Sequence, residues 1–100
     1  MILISYDIEQ DNLRTKIARK LQHWGLHRVQ YSVFLGLVEK QKIPTLWKDL
    51  EKFTKAKSWK TTDNILLIPI HQSQTKNIKV YGNYPPRWEE IVGEIHTLML

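Results

Sequence analysis

The chain contains no cysteine, which removes disulfides, thiolate metal sites and a cysteine nucleophile from consideration together. Glycine and proline number four each in 100 residues, and no Gly-, Pro- or Ser-rich stretch interrupts the chain, so neither a linker nor a repeat is indicated. Gly-rich phosphate loops, serine triads and dinucleotide fingerprints are missing, which sets aside kinase, ATPase and dehydrogenase readings. No apolar run approaches membrane-spanning length, and Met1 leads straight into Ile2-Leu3-Ile4 without a basic region or cleavage site. No membrane association and a cytoplasmic location are therefore expected. A chain this short carries one core, so any large binding surface is expected to come from self-association.

What is present is charge of one sign. Lys plus Arg outnumber Asp plus Glu by 15 to 10, a net +5, which favours an anionic partner and puts nucleic acid first. The hydrophobic share of 42% is enough for a packed domain, and secondary structure follows from its spacing.

Residues 2–8 alternate, with Ile2, Ile4, Tyr6 and Ile8 on one face and Leu3, Ser5 and Asp7 on the other, which predicts a strand ending near Asp7. From Asp11, read as an N-cap, Leu13, Ile17, Leu21 and Trp24 recur at helical spacing and Gly25 sits where a helix stops. Residues 28–35 alternate again and are read as one strand, with Val29, Tyr31, Val33 and Leu35 opposite Arg28, Gln30, Ser32 and Phe34. Pro44 opens a second helix with Leu46, Trp47, Leu50 and Phe53 as its buried stripe. Residues 64–70 form an apolar strand and residues 77–81 a short last one. The order assigned is β-α-β-β-α-β, an α+β ferredoxin-like sandwich with both helices on one face of an antiparallel sheet. Residues 1–81 make the core of a single domain spanning 1–100. Residues 82–100 make a tail whose Trp88, Ile91, Val92 and Ile95 fit a helical stripe.

On this reading Asp7 shares the helix-free face with Arg28, Gln30, Ser32 and Phe34. That face is half apolar, so a second copy related by a two-fold axis is expected to cover it and bring two Asp7 carboxylates together. Paired carboxylates repel unless one is protonated or a cation lies between them, and magnesium suits an all-oxygen site.

Residues 1–8, Met-Ile-Leu-Ile-Ser-Tyr-Asp-Ile, with Asp11, Arg14 and Lys16 and then Gly25-Leu-His-Arg-Val-Gln-Tyr-Ser-Val-Phe34, resemble the CRISPR-associated endoribonuclease family, Cas protein two. The resemblance implies a homodimer, dependence on Mg2+, and cleavage of single-stranded RNA or double-stranded DNA. It also implies partnership with the CRISPR integrase subunit, for which the dimer is a scaffold in spacer acquisition. By the resemblance Asp7 is the metal-binding and catalytic carboxylate, Arg14 and Arg28 are catalytic basic residues, and Tyr6, Ser32 and Phe34 flank the site. Lys16 stands where an arginine is common. Many members end in a strand that joins the partner's sheet, so the tail is expected in the dimer interface, with Leu98 to Leu100 as its strand-like part.

Each sharp reading has a plain rival. Tyr6 alternates with core residues and is expected to pack there. Arg14, Lys16, Arg19, Lys20 and Arg28 form a candidate nucleic-acid-binding set, against the ordinary role of surface charge in solubility. His23 and His27 are four apart, but Gly25 lies between them and no metal motif includes them; His71 and His96 have no partner that sequence can locate. Trp47, Trp59 and Trp88 are read as packing rather than base-stacking residues. Three functions follow: a magnesium-dependent endonuclease, a non-catalytic scaffold of the integrase on DNA, and a toxin-like messenger-RNA nuclease on the same fold.

Overall fold

Strict alternation makes Ile2–Asp7 a strand, β1, whose Ile2, Ile4 and Tyr6 are buried while Leu3 and Ser5 are half-buried and Asp7 is exposed. The computed structural model describes residues 1–91 and 93. After β1 come α1 (Asp11–His23), β2 (His27–Gln30), β3 (Val33–Gly36), α2 (Ile43–Thr54) and β4 (Asn64–Pro69). The strands form one antiparallel sheet in the order β2-β3-β1-β4. This is the α+β ferredoxin-like arrangement, with both helices over one face.

The core lies between that face and the helices. Ile2, Ile4, Tyr6 and Phe34 from the sheet meet Leu13, Ile17 and Leu21 of α1 and Leu46 and Leu50 of α2. Each such side chain contributes on the order of 1.5–3 kcal/mol by leaving water. Helix α1 starts at Asp11 rather than after it: Gln10 is the extended residue before the helix, and Asp11 sits in the first turn, where its charge favours the positive helix end. Gly25 ends the helix with φ +88°, and the Leu26 amide reaches back to the Leu21 carbonyl at 3.0 Å, a closure that favours glycine.

Several expected elements change. The strand read over residues 28–35 is a hairpin, β2 and β3, turning at Tyr31-Ser32 with a bulge between Arg28 and Gln30. The expected elements, one strand each, would have run β-α-β-α-β-β; the hairpin supplies the missing central strand. No strand covers residues 77–81; a 3₁₀ turn occupies Gln72–Asn77, started by His71, whose Nδ1 accepts the Ser73 amide. The faces also exchange. Ile4 pairs with Phe34 and Phe34 with Arg28, so Phe34 and Arg28 belong to the helix-covered side, while Leu35 and Val29 pack on the other. Trp47 lies outside the buried stripe at 45% exposure; together with half-buried Trp59 and Leu50 it lines a cavity of about 310 Å³.

The helix-free face is partly covered by the chain itself. Ile78, Trp88 and buried Ile91 pack on Leu3, Val29, Leu35 and Ile70. A helical turn begins at Trp88, in keeping with the stripe read in the tail; Val92, Ile95, His96 and Leu98 to Leu100 lie outside the described residues. Towards Asp7 the face stays open, with Leu66, level with Ser5, at 53% exposure, and along the β4 edge Ile68, level with Leu3, is 46% exposed.

The two helices are tied by Trp24, whose Nε1 donates to Asp49 Oδ2 at 2.9 Å. That bond, more than any other cause, holds the Asp49 carboxyl below its ordinary range; Lys52 and Lys20 add to it and burial opposes. Trp24→Phe is expected to cost about 2 kcal/mol in urea unfolding at pH 7. A depressed folded-state value stabilises above the ordinary carboxylate range and the gain is lost as pH falls through it. The difference between wild type and variant should therefore shrink below about pH 4.

Candidate active site

Asp7 is the last residue of β1 and pairs with Asn64 of β4. Its side chain falls on the helix-free face with Ser5 and, across the ladder, Leu66, and it is exposed. The backbone around it is pinned on both sides. The Tyr6 amide donates to the Ser32 carbonyl at 3.1 Å, and the Glu9 amide donates to Asp63 Oδ1 at 3.0 Å. Asp63 also accepts the Lys60 amide at 2.8 Å, so one buried carboxylate joins the turn after β1 to the loop before β4.

Sequence reasoning missed Asp63. The signal was an Asp at the end of a polar loop immediately before a strand, a position that favours side-chain-to-backbone bonding. Asp63→Ala strands two amide donors and is expected to lower stability by about 2–3 kcal/mol. Amide exchange at Glu9 and Lys60 should accelerate most, while Asp63→Asn, which keeps an acceptor, should lose less.

The other expected residues divide. Arg14 is turned inward: Nη1 donates to the Ile8 carbonyl at 2.6 Å and the Glu9 carbonyl at 2.8 Å, Nη2 pairs with Asp11, and Nε is buried without a hydrogen-bond partner. Its guanidinium holds the β1–α1 turn. Lys16 and Arg19 are exposed on α1, and Lys20 is half-buried there. Tyr6 packs in the core, its ring 6.2 Å from that of Phe34. Ser32 forms the hairpin turn and contributes its carbonyl.

Arg28 lies with its guanidinium 5.2 Å from the centre of the Phe34 ring. It is level with Ile4 and two strands from β1, which puts its Cα about 14 Å from that of Asp7 and on the opposite face. The shared face expected for Asp7 and Arg28 is thereby corrected: Arg28 stays on one side with Phe34, and the pairing of Phe34 with Ile4 puts that side under the helices.

Among the described residues no group of three or more His, Cys, Asp or Glu is placed to hold a metal. Asp63 is engaged by backbone amides, whereas Asp7 is an exposed carboxylate at the end of β1. Magnesium is held by one or two carboxylates with waters and substrate phosphates completing the shell. An exposed single carboxylate on an open face fits a share of such a site, not the whole of it.

A family model described as "CRISPR associated protein Cas2" matches residues 1–78. The chain belongs to this Cas2 family. A Pyrobaculum aerophilum protein named CRISPR-associated endoribonuclease Cas2 2 is 37% identical over 54 residues, covering 54% of this chain and 59% of that protein. That match thus spans just over half of the relative's length. An Archaeoglobus fulgidus protein named CRISPR-associated endoribonuclease Cas2 1 is 33% identical over 81 residues, covering 81% of this chain and 82% of the relative. Streptococcus pyogenes Cas2, solved at pH 6.5, superposes with a TM-score of 0.65 at 20% identity, covering 81% of this chain and 98% of that one; it bears on the fold. The overall fold described above is thus shared with a solved Cas2, and no helix of the described residues is long and apolar enough to cross a membrane.

Proposed function

We propose that the protein is a CRISPR-associated, magnesium-dependent endonuclease acting as a homodimer on single-stranded RNA and/or double-stranded DNA. The observation that carries this reading is Asp7: an exposed carboxylate at a pinned strand end, on the open part of a sheet face bordered by Leu66 and Ile68. A second copy on that apolar border brings a second Asp7 to the first. The two Asp7 carboxylates would hold magnesium, which would supply positive charge for a scissile phosphate and a bound water of lowered pKa. The chain's own contribution is to fix the carboxylates: Tyr6 through Ser32, and Glu9 through Asp63, leave the strand end little freedom. Arg14 acts through the same turn as a positioning residue.

The test is cleavage of matched RNA and DNA by pure protein with magnesium and with a chelator, alongside its mass in solution. A monomer, or cleavage indifferent to chelation, overturns the reading. A second reading is a non-catalytic scaffold that holds the CRISPR integrase on DNA. It is favoured by the engagement of Arg14 inside the chain and the placement of Arg28 on the far face, which leave few charged groups beside Asp7. Integrase binding and spacer acquisition without detectable hydrolysis would decide for it.

A further inference from the structure

The cavity of about 310 Å³ that Trp47 and Trp59 line is at the lower end of the roughly 300–1,000 Å³ typical of ligand sites, a size that suits one long side chain. It lies on the helix-covered side, between the last turns of α2 and the start of β4, with buried Leu50 and half-buried Ile65 as its apolar part. Three features make it negative. Asp63, with 9% of its surface exposed, lines it. Its two oxygens each accept one backbone amide, which leaves about half of a carboxylate's roughly four lone-pair sites unused. It forms no ion pair among the described residues. Glu51 lines the cavity from the exposed side of α2. Thr54, the last residue of that helix, brings the carbonyl end of the α2 dipole, which carries partial negative charge. Among the described residues no Lys, Arg or His lines the cavity. Lys55 does reach Glu51 from outside at 3.8 Å, but an i,i+4 pair between two exposed side chains is weak and gives way to a better-placed cation.

We propose that this cavity receives the side chain of an arginine presented by a partner protein, its guanidinium against the indoles of Trp47 and Trp59 and its N–H groups on Glu51 and Asp63. A planar cation answers both halves of the lining. It is attracted to indole faces, it is more weakly hydrated than an ammonium and so enters an apolar cavity at lower cost, and its forked donors match a carboxylate. A leucine side chain would fill the volume but cover the Asp63 oxygens without offering a donor. A nucleotide would bring its phosphate against two carboxylates and the negative end of a helix. A free amino acid would bring an α-carboxylate for which the lining holds no cation. Trp47 is 45% exposed, and tryptophan beside a pocket is a common anchor of protein interfaces. The site does not depend on the reading of Asp7: Ile65 is level with Tyr6 on the helix-covered side, and Asp7 faces the other way.

The experiment is a titration of the intact protein with N-acetyl-arginine N-methylamide, followed in proton–nitrogen NMR spectra. The signals watched are the indole N–H groups of Trp47 and Trp59 and the amides of Glu9 and Lys60, the two that Asp63 holds. Saturable shifts at all four are expected, with a Kd on the order of 1 mM for so small a probe. Trp47→Leu should weaken binding about fivefold or more, and Glu51→Gln severalfold. Both residues are exposed, so both variants should melt within a few degrees of wild type, which separates lost binding from lost structure. The capped leucine and lysine analogues, free arginine and uridine monophosphate are titrated beside the probe, and each should bind more weakly than capped arginine. Absence of saturable shifts with capped arginine, or unchanged affinity in both variants, overturns the proposal. An equal response to the leucine analogue would make the cavity an apolar pocket, tighter binding of free arginine a metabolite site, and tighter binding of the nucleotide a base site; each of these overturns it as well.

Discussion

Asp7→Asn protein is expected to fold normally and to lose magnesium-dependent cleavage by about 100-fold or more, the loss typical of removing a group that stabilises charge in a transition state. Asparagine keeps the size and one oxygen of the side chain but not its charge. In a homodimer every chain carries the change, so both carboxylates vanish together. Because Asp7 is exposed and its side chain makes no hydrogen bond among the described residues, stability should move by no more than about 0.5 kcal/mol. Urea unfolding therefore serves as the control. Dimers mixed from wild-type and variant chains, isolated by differential tags, hold one carboxylate each and should stay far below wild type. Cleavage at the wild-type rate by the pure variant would mean that the hydrolysis takes place elsewhere.

Phe34→Ala is expected to be the most damaging single change to the fold, at about 3–5 kcal/mol. Phe34 is fully buried, stacks on Tyr6 and carries Arg28 over its ring. It also joins the hairpin to the central strand through the Ile4 pairing. A domain of this size has about 5–15 kcal/mol of stability in total, so the variant should melt about 15–30 °C lower or fail to fold at 37 °C. Phe34→Leu keeps most of the volume and should cost about 1.5 kcal/mol. The pair of variants, compared by thermal circular dichroism, separates the cavity from the ring contacts.

The parts of the fold readable in the sequence are those in which one face is buried and one wet. β1 is legible because Ile2, Ile4 and Tyr6 sink into the core while Asp7 stays in water, and α1 because Leu13, Ile17 and Leu21 repeat at helical spacing and Gly25 closes them. The hairpin was not legible. Its turn at Tyr31-Ser32 contains no Gly, Asn, Asp or Pro to announce it, and alternation over eight residues looks the same for one long strand as for two short ones. The turn changes the parity of the alternation and the bulge between Arg28 and Gln30 changes it back, so Arg28 and Phe34 stay on one side; the pairing of Phe34 with Ile4, which no local pattern encodes, places that side under the helices. Asp7 as a chemical residue was legible through the family resemblance rather than through its position. The engagement of Arg14 with the Ile8 and Glu9 carbonyls, and of Asp63 with Glu9, depends on loops meeting in space, and no local pattern encodes that. Trp47 sits at the margin of an apolar stripe, where burial turns on how far the neighbouring loop reaches.

The returning segment from Ile78 to Ile91 has a geometric consequence for assembly. By filling the Leu3–Leu35 half of the sheet it acts as a wedge, so in the homodimer proposed above a second sheet laid against this one would be held off at that half. The thickness of Trp88 and Ile91 would then set the gap between the two Asp7 side chains. Lengthening or thinning that wedge would retune the width of the cleft without touching Asp7.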